Sequence, residues 1–164
     1  MSSAFDEFKA DSMLEDAILS YAHFVFVLLV AGTLVAEAFV IRLPPTAPAI
    51  RLLSRIDLFY GISAALMIVA GFARVFMGLK DESYYWGQPF FWAKMAAFAL
   101  VGIISIMPTV KFLAWRGALK KDEAFAPAEA EVKSVRRLIM IELHVFALIP
   151  LFAALMARGI GATS

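Results

Sequence analysis

Hydrophobic residues dominate four long stretches of this chain, and polar residues concentrate between them. The stretches cover residues 19–41, 58–77, 91–110 and 138–157, and each approaches the ~20 residues that cross about 30 Å of hydrocarbon. We therefore predict helices at about residues 13–43, 55–79, 89–116 and 127–158. The expected fold class is all-α, a polytopic membrane four-helix bundle that forms a single domain over residues 1–164.

Local signals indicate where the helices begin and end. Ser12, with Glu15 three positions later, is typical of a capping box and predicts that the first helix starts close to residue 13. Pro44 and Pro45 end this helix, because proline cannot continue the backbone hydrogen bonds. Pro127 predicts the start of the fourth helix, since proline suits a first helical turn.

Composition supports the membrane class. The chain is 62% hydrophobic and has a mean hydropathy of +0.81, well above the usual values of a soluble domain. Its net charge of +1 gives no reason to expect nucleic acid as a partner. The absence of cysteine excludes disulfides, thiolate catalysis and cysteine-held metal or iron–sulfur sites. The expected partners are the lipid bilayer and either further copies of the chain or a larger membrane complex.

Basic residues predict the orientation in the membrane. They concentrate in the first and third loops, so these loops should face the cytoplasm and both termini the outside. Aromatic residues are expected at the two membrane interfaces: Tyr84, Tyr85, Trp86 and Trp92 on the outer side, and Trp115 on the inner side.

Ionisable residues interrupt or border every apolar stretch. A charge in hydrocarbon costs about 2.5–3.5 kcal/mol on insertion scales, so such residues normally face a protein interior or a wet cavity. They are therefore the candidate functional residues of this chain: His23, Glu37, Asp57, Arg74, Lys94, Glu142 and His144.

Depth divides these residues into two layers. At 1.5 Å per residue, His23, Arg74 and Lys94 lie within roughly 6 Å of the outer edge. Glu37, Asp57, Glu142 and His144 lie about 20–30 Å below that edge. Because the depths of the two histidines differ by more than about 10 Å, the spacing disfavours one haem held by both. Glu142 and His144 are about 160–200° apart around their helix, so they cannot both face the core.

The residue types leave several roles open. His23 and His144 are candidate metal ligands, for example to haem iron, but a membrane histidine can also relay protons or form a hydrogen bond between helices. Lys94 and Arg74 can bind porphyrin propionates or another anion, or extend toward lipid phosphate.

The carboxylates of the inner layer also have two interpretations. They can form a proton path or a cation site. Alternatively, they can form a buried ion-pair network with nearby arginines. The residues concerned are the acidic Glu37, Asp57 and Glu142 and the basic Arg42, Arg55 and Arg137.

Recognisable motifs occur along nearly the whole chain, at residues 22–37, 56–61, 70–76, 84–85, 91–94, 108–109, 115–116 and 156–161. Together they resemble one family of bacterial four-helix membrane proteins, domain of unknown function 2214. The resemblance implies a location in the bacterial inner membrane and a four-helix fold, but no assigned activity.

A second resemblance is to the small four-helix proteins of the HemJ-type protoporphyrinogen oxidase and CopD-type copper-resistance groups. HemJ-type proteins have a first-helix histidine and a third-helix lysine, which His23 and Lys94 match. This resemblance implies a haem b or porphyrin site in the outer half of the bundle.

Three functional hypotheses follow, and they leave open whether the protein is an enzyme. The first is a haem b or porphyrin protein for electron transfer or tetrapyrrole redox chemistry, with His23 as ligand or porphyrin contact. The second is an oligomeric proton or cation channel, or a transport subunit, that uses the inner carboxylates. The third is a non-catalytic accessory subunit of a larger membrane complex.

Overall fold

The computed structural model describes residues 2–78 and 85–161, which form four helices and no strand. Helix α1 spans Ser2–Val40, α2 spans Ala47–Met77, α3 spans Pro89–Leu119 and α4 spans Glu129–Ala157. Each helix is long and apolar enough to cross a membrane. The predicted all-α, four-helix membrane fold is confirmed.

Two helices begin earlier than the hydrophobic pattern predicts. Helix α1 starts at Ser2 and not near residue 13, so Ser12 lies inside the helix and does not cap it. No glycine or proline interrupts residues 2–12, and the helix therefore continues beyond the apolar stretch. Helix α2 starts at Ala47 and not near residue 55, because Ile50 and Leu53 are buried in the core. The other described helix ends lie within three residues of the prediction.

The helices form a ring in chain order. Helix α1 contacts α2, α2 contacts α3, α3 contacts α4, and α4 closes on α1. Short connections make successive helices antiparallel. The α1–α2 and α3–α4 loops therefore lie at one end of the bundle, which we call the basic end. An ion pair across that end joins Arg51 Nη2 to Glu123 Oε1 at 3.0 Å. The opposite end, which carries both termini, is the terminal end.

Apolar side chains fill the core and also cover the outside of the bundle. Val30, Leu34, Phe112 and Ile139 are 0–1% exposed in the core. Within the most apolar part of each helix, however, only 11–28% of the residues are buried. The remaining apolar surface is far larger than a soluble protein exposes, and lipid is the solvent that suits it.

Aromatic residues only partly follow the interface prediction. Trp86 and Trp92 are 44% and 53% exposed at the terminal end, and their ring centroids lie 5.6 Å apart. Tyr85 is buried, however, and Trp115 is only 2% exposed. The Trp115 ring thus packs in the core close to the end of α3 at Leu119, and its place at the inner interface stays a prediction. Tyr84 lies outside the described residues.

The predicted orientation is tested by labelling single cysteines, because the natural chain contains none. Asp11→Cys places an exposed thiol near the terminal end, and Lys121→Cys places one in the α3–α4 loop. A membrane-impermeant maleimide added to intact spheroplasts should label Asp11→Cys and should label Lys121→Cys only after lysis. The unmodified chain is the blank. Labelling of Lys121→Cys in intact spheroplasts would contradict the orientation.

Candidate functional site

Three carboxyl groups lie near one another in the interior of the bundle. Glu37 comes from α1, Asp57 from α2 and Glu142 from α4, and they are 2%, 7% and 1% exposed. Glu37 is close enough to interact electrostatically with both other side chains. We call these three residues the carboxyl centre. The helical period brings them inward, since Glu37 follows the buried Leu34, and Glu142 follows the buried Ile139, at a spacing of three.

Hydroxyl groups of α2 and α3 bind the carboxyl centre. Tyr60 Oη donates a hydrogen bond of 2.6 Å to Glu142 Oε1. Thr109 Oγ1 donates one of 2.7 Å to Asp57 Oδ1. All four helices therefore contribute to the site. Sequence reasoning did not assign Tyr60 or Thr109 to it, although Tyr60 lies three residues after Asp57 and thus on the same helix face.

Two carboxyl oxygens of the centre lack a hydrogen-bond partner among the described residues. They are Glu37 Oε1 and Glu142 Oε2, and both are buried. Most buried polar atoms in proteins do have a partner, so these two need an explanation. They mark the place in the core where a proton, a water molecule or a cation would be stabilised.

The described part of the chain does not show the alternative, a buried ion-pair network around the three carboxyl groups. Its ion pairs join Arg51 to Glu123, Lys111 to Glu131 and Lys133 to Glu129, and none of them includes the carboxyl centre.

The three arginines considered for that network lie elsewhere. Arg42 contacts the Met140 sulfur at 3.6 Å and the Phe39 ring. Arg55 lines a pocket at the basic end, and Arg137 is exposed. The carboxyl centre therefore has no counter-charge within the described residues.

Glu142 and His144 face opposite sides of α4, as their spacing predicts. Glu142 is buried in the core and His144 is exposed. The His144 Nδ1 atom lies 2.5 Å from the carbonyl oxygen of Met140, one turn earlier in the same helix. His144 therefore does not join the carboxyl centre or His23. Within residues 2–78 and 85–161, no three His, Asp or Glu side chains form a group suited to a metal ion.

The outer layer brings together His23 of α1, Arg74 of α2 and Lys94 of α3. These side chains are half-buried and close enough to interact electrostatically. We call them the outer cluster. His23 Nδ1 lies 3.3 Å from the carbonyl oxygen of Met67. Gly71 allows this approach, because a Cβ atom there would lie 3.2 Å from His23 Cε1.

Aromatic rings accompany both cations of the outer cluster. Arg74 Cζ lies 5.9 Å from the centroid of the Phe24 ring, and Lys94 Nζ lies 5.2 Å from that of Phe91. Such contacts stabilise a cation by about 0.5–2 kcal/mol. The Arg74 Nε atom is buried without a hydrogen-bond partner among the described residues. The structure thus brings His23, Arg74 and Lys94 together, as the depth estimate predicts. The N–H group at Arg74 Nε is available to donate a hydrogen bond to a ligand.

An apolar layer separates the outer cluster from the carboxyl centre. Between the two sites, each helix contributes buried apolar side chains that are at most 7% exposed: Val30, Leu34, Met67, Val101 and Phe146. Ser63 of α2 is also buried in this part of the bundle, so the layer is mainly and not wholly apolar. On α1, His23 and Glu37 are about 21 Å apart along the helix axis at 1.5 Å per residue. The two polar sites are therefore distinct, and no polar side chain of either site bridges them.

Comparison with known proteins identifies a family. The family model described as "Predicted membrane protein (DUF2214)" matches residues 15–161. No curated protein and no solved structure matches the chain. The carboxyl centre, the apolar layer and the outer cluster all fall inside the matched range.

The Tyr60 hydroxyl should stabilise the fold through Glu142. In Tyr60→Phe, the buried Glu142 Oε1 atom loses its donor, which should lower the free energy of unfolding by about 1–2 kcal/mol. Thermal or denaturant unfolding in detergent measures this change. Tyr21→Phe is the matched control, because Tyr21 is 72% exposed. Equal effects of the two substitutions would contradict a role for the buried hydrogen bond.

Proposed function

We propose that this chain, which belongs to the DUF2214 family of predicted membrane proteins, binds and transfers protons through its carboxyl centre. It would act as a proton-conducting channel or as the proton-handling part of a transport subunit. The observation that carries the proposal is the burial of Glu37, Asp57 and Glu142 without a basic partner among the described residues.

Charge is the first argument. An isolated carboxylate is very costly to bury, so buried carboxyl groups are normally paired, bound to a metal or neutral. Three neighbouring carboxylates would in addition repel one another. Bound protons or a bound cation must therefore offset their charge. Protons suit the site better, because the described residues hold no group of three His, Asp or Glu side chains that is arranged to bind a metal ion.

Position is the second argument. The carboxyl centre lies well inside the bundle, because Asp57 is ten residues from the start of α2 at Ala47. Toward the basic end, buried apolar side chains such as Phe112 and Ile139 enclose it. Toward the terminal end, the apolar layer with Leu34 and Phe146 separates it from the outer cluster. Apolar constrictions can open by becoming wet. The arrangement thus favours a gated proton site over an open pore.

The outer cluster completes the proposed route. His23 can accept and release a proton near neutral pH as an ordinary property of imidazole. Arg74 and Lys94 beside it would repel metal cations that approach from the terminal end. A route from Glu37 to His23 would therefore select protons, provided that water enters the apolar layer between them.

Proton flux into liposomes tests this proposal. The purified protein is reconstituted with a pH-sensitive dye inside, and a potassium gradient with valinomycin sets the voltage. We expect dye acidification with the unmodified protein, and an at least tenfold slower rate in Glu37→Gln and Glu142→Gln, because an amide cannot carry the proton. Glu15→Gln, an exposed position on the same α1 helix, should leave the rate unchanged.

Two results would contradict the proposal. One is a rate for the unmodified protein equal to that of empty liposomes. The other is a measurable proton flux that has the same rate in the unmodified protein, in the two glutamine variants and in Glu15→Gln. Thermal unfolding of each variant in the same detergent separates loss of transfer from loss of fold.

A haem b or porphyrin site at the outer cluster is the second candidate, and one contact favours it. Metal-bound histidines usually have the other ring nitrogen close to a carbonyl or carboxylate group. His23 Nδ1 lies 3.3 Å from the Met67 carbonyl oxygen, which would leave Nε2 for a ligand. Arg74 and Lys94 would then hold the propionates. Bound haem would supply one-electron redox chemistry at this site.

Absorption spectra test the haem candidate. Addition of haemin to the purified protein should produce a Soret band that titrates to saturation. His23→Ala should lose this band, while His144→Ala should keep it, because His144 is exposed on another helix. No spectral change on haemin addition would contradict the candidate, and so would an equal response of the two variants.

A further inference from the structure

A cavity of about 380 Å³ opens at the basic end of the bundle, away from the carboxyl centre. Its wall consists of side chains from α2, from α3 and from the loop after α3: Arg51, Arg55, Arg116, Leu119, Lys120 and Glu123. We call it the basic pocket. Its volume corresponds to roughly a dozen water molecules at about 30 Å³ each, so a phosphate group with its substituents fits.

Helical spacing aligns the cations of the basic pocket. Arg51 and Arg55 are four residues apart on α2, and Arg116 and Lys120 have the same spacing at the end of α3. Residues at this spacing share one helix face. Two pairs of basic side chains therefore face a common space, where one carboxylate, Glu123, opposes four cations.

The one carboxylate of the basic pocket is held weakly. Glu123 forms an ion pair of 3.0 Å with Arg51, but the side chains are 86% and 50% exposed. Exposed pairs of this kind stabilise a protein by about 0–1 kcal/mol. A phosphate group carries more charge and more acceptor oxygens, and guanidinium groups bind it in a bidentate manner. Such a ligand can therefore displace Glu123 from Arg51.

Apolar residues continue the faces that carry these cations. On α2, Leu58 and Ile62 follow Arg51 and Arg55 at a spacing of seven, and they are 57% and 48% exposed. On α3, Leu113 precedes Arg116 by three residues and is 57% exposed. Each face thus changes from basic to apolar and exposed along one direction, from the basic end into the membrane-spanning part.

We infer that the basic pocket binds the phosphate headgroup of an anionic glycerophospholipid, whose acyl chains lie along the apolar faces of α2 and α3. Free phosphate would satisfy the cations but would leave the adjoining apolar faces unused. A lipid has a phosphate group for the cations and acyl chains for the apolar faces. Basic pockets between membrane helices on the cytoplasmic side commonly hold such headgroups.

Native mass spectrometry of the purified protein in detergent tests this inference. The probes are tetraoleoyl cardiolipin, dioleoyl phosphatidylglycerol and dioleoyl phosphatidylcholine, each added at the same concentration. The two anionic lipids should form adducts that survive collisional activation, and phosphatidylcholine should not.

Matched charge variants identify the site. Arg55→Gln/Arg116→Gln should lower the affinity for cardiolipin by about 30-fold, which corresponds to about 1 kcal/mol for each lost cation. Arg136→Gln/Arg137→Gln removes the same charge from exposed positions of α4 and should leave the affinity unchanged. Glu123→Gln should raise it, because Arg51 then has no competing carboxylate.

Three outcomes would overturn the inference. Equal losses in the two double variants would mean that general positive charge attracts the lipid. Equal retention of phosphatidylcholine would mean that the headgroup is not recognised. Suppression of the cardiolipin adducts by a comparable concentration of inorganic phosphate would mean that the site binds soluble phosphate.

Discussion

Hydrocarbon gives a carboxyl group no water, and the core of this bundle holds three such groups. The residues around Glu37, Asp57 and Glu142 are arranged in a way that meets this constraint. Two hydroxyl groups donate hydrogen bonds to the site, all four helices contribute to it, and buried apolar side chains enclose it toward both ends of the bundle. A soluble protein could leave such groups to solvent. Here lipid supplies no hydrogen-bond partner, so the packed helices must supply it. The position of the site and the arrangement of the bundle therefore depend on each other.

The molecule is chemically asymmetric along the membrane normal. Cations lie half-buried near the terminal end, carboxyl groups lie deeper, and a second set of cations surrounds the basic pocket at the other end. The apolar layer separates the first two groups. In the two proposals, the carboxyl centre holds protons behind this layer and the basic pocket binds a lipid headgroup. The haem candidate uses only the terminal half and leaves the carboxyl centre without a role.

Periodicity and depth predict much of this arrangement. The spacing of His23 and Glu37 places both on the inward face of α1, and the spacing of Glu142 and His144 separates them. Sequence alone could not choose between Glu142 and His144 for the core, because the choice depends on how α4 rotates against three other helices. It also left open an ion-pair network between the carboxyl groups and nearby arginines, since proximity in sequence does not show that Arg42 and Arg55 point elsewhere. Tyr60 and Thr109 gave no signal of their own, as one aromatic and one hydroxyl residue are ordinary in any helix.

The hydrogen bonds of the carboxyl centre have a consequence for how the protein is assembled. If α1–α2 and α3–α4 insert as two helical hairpins, then Tyr60–Glu142 and Thr109–Asp57 both run from one hairpin to the other. Separated hairpins would expose these polar groups to lipid, and hairpins docked one turn out of place would leave them unpaired in the core. The centre therefore favours correct docking, because that is the state in which both halves stop presenting polar surface to the membrane.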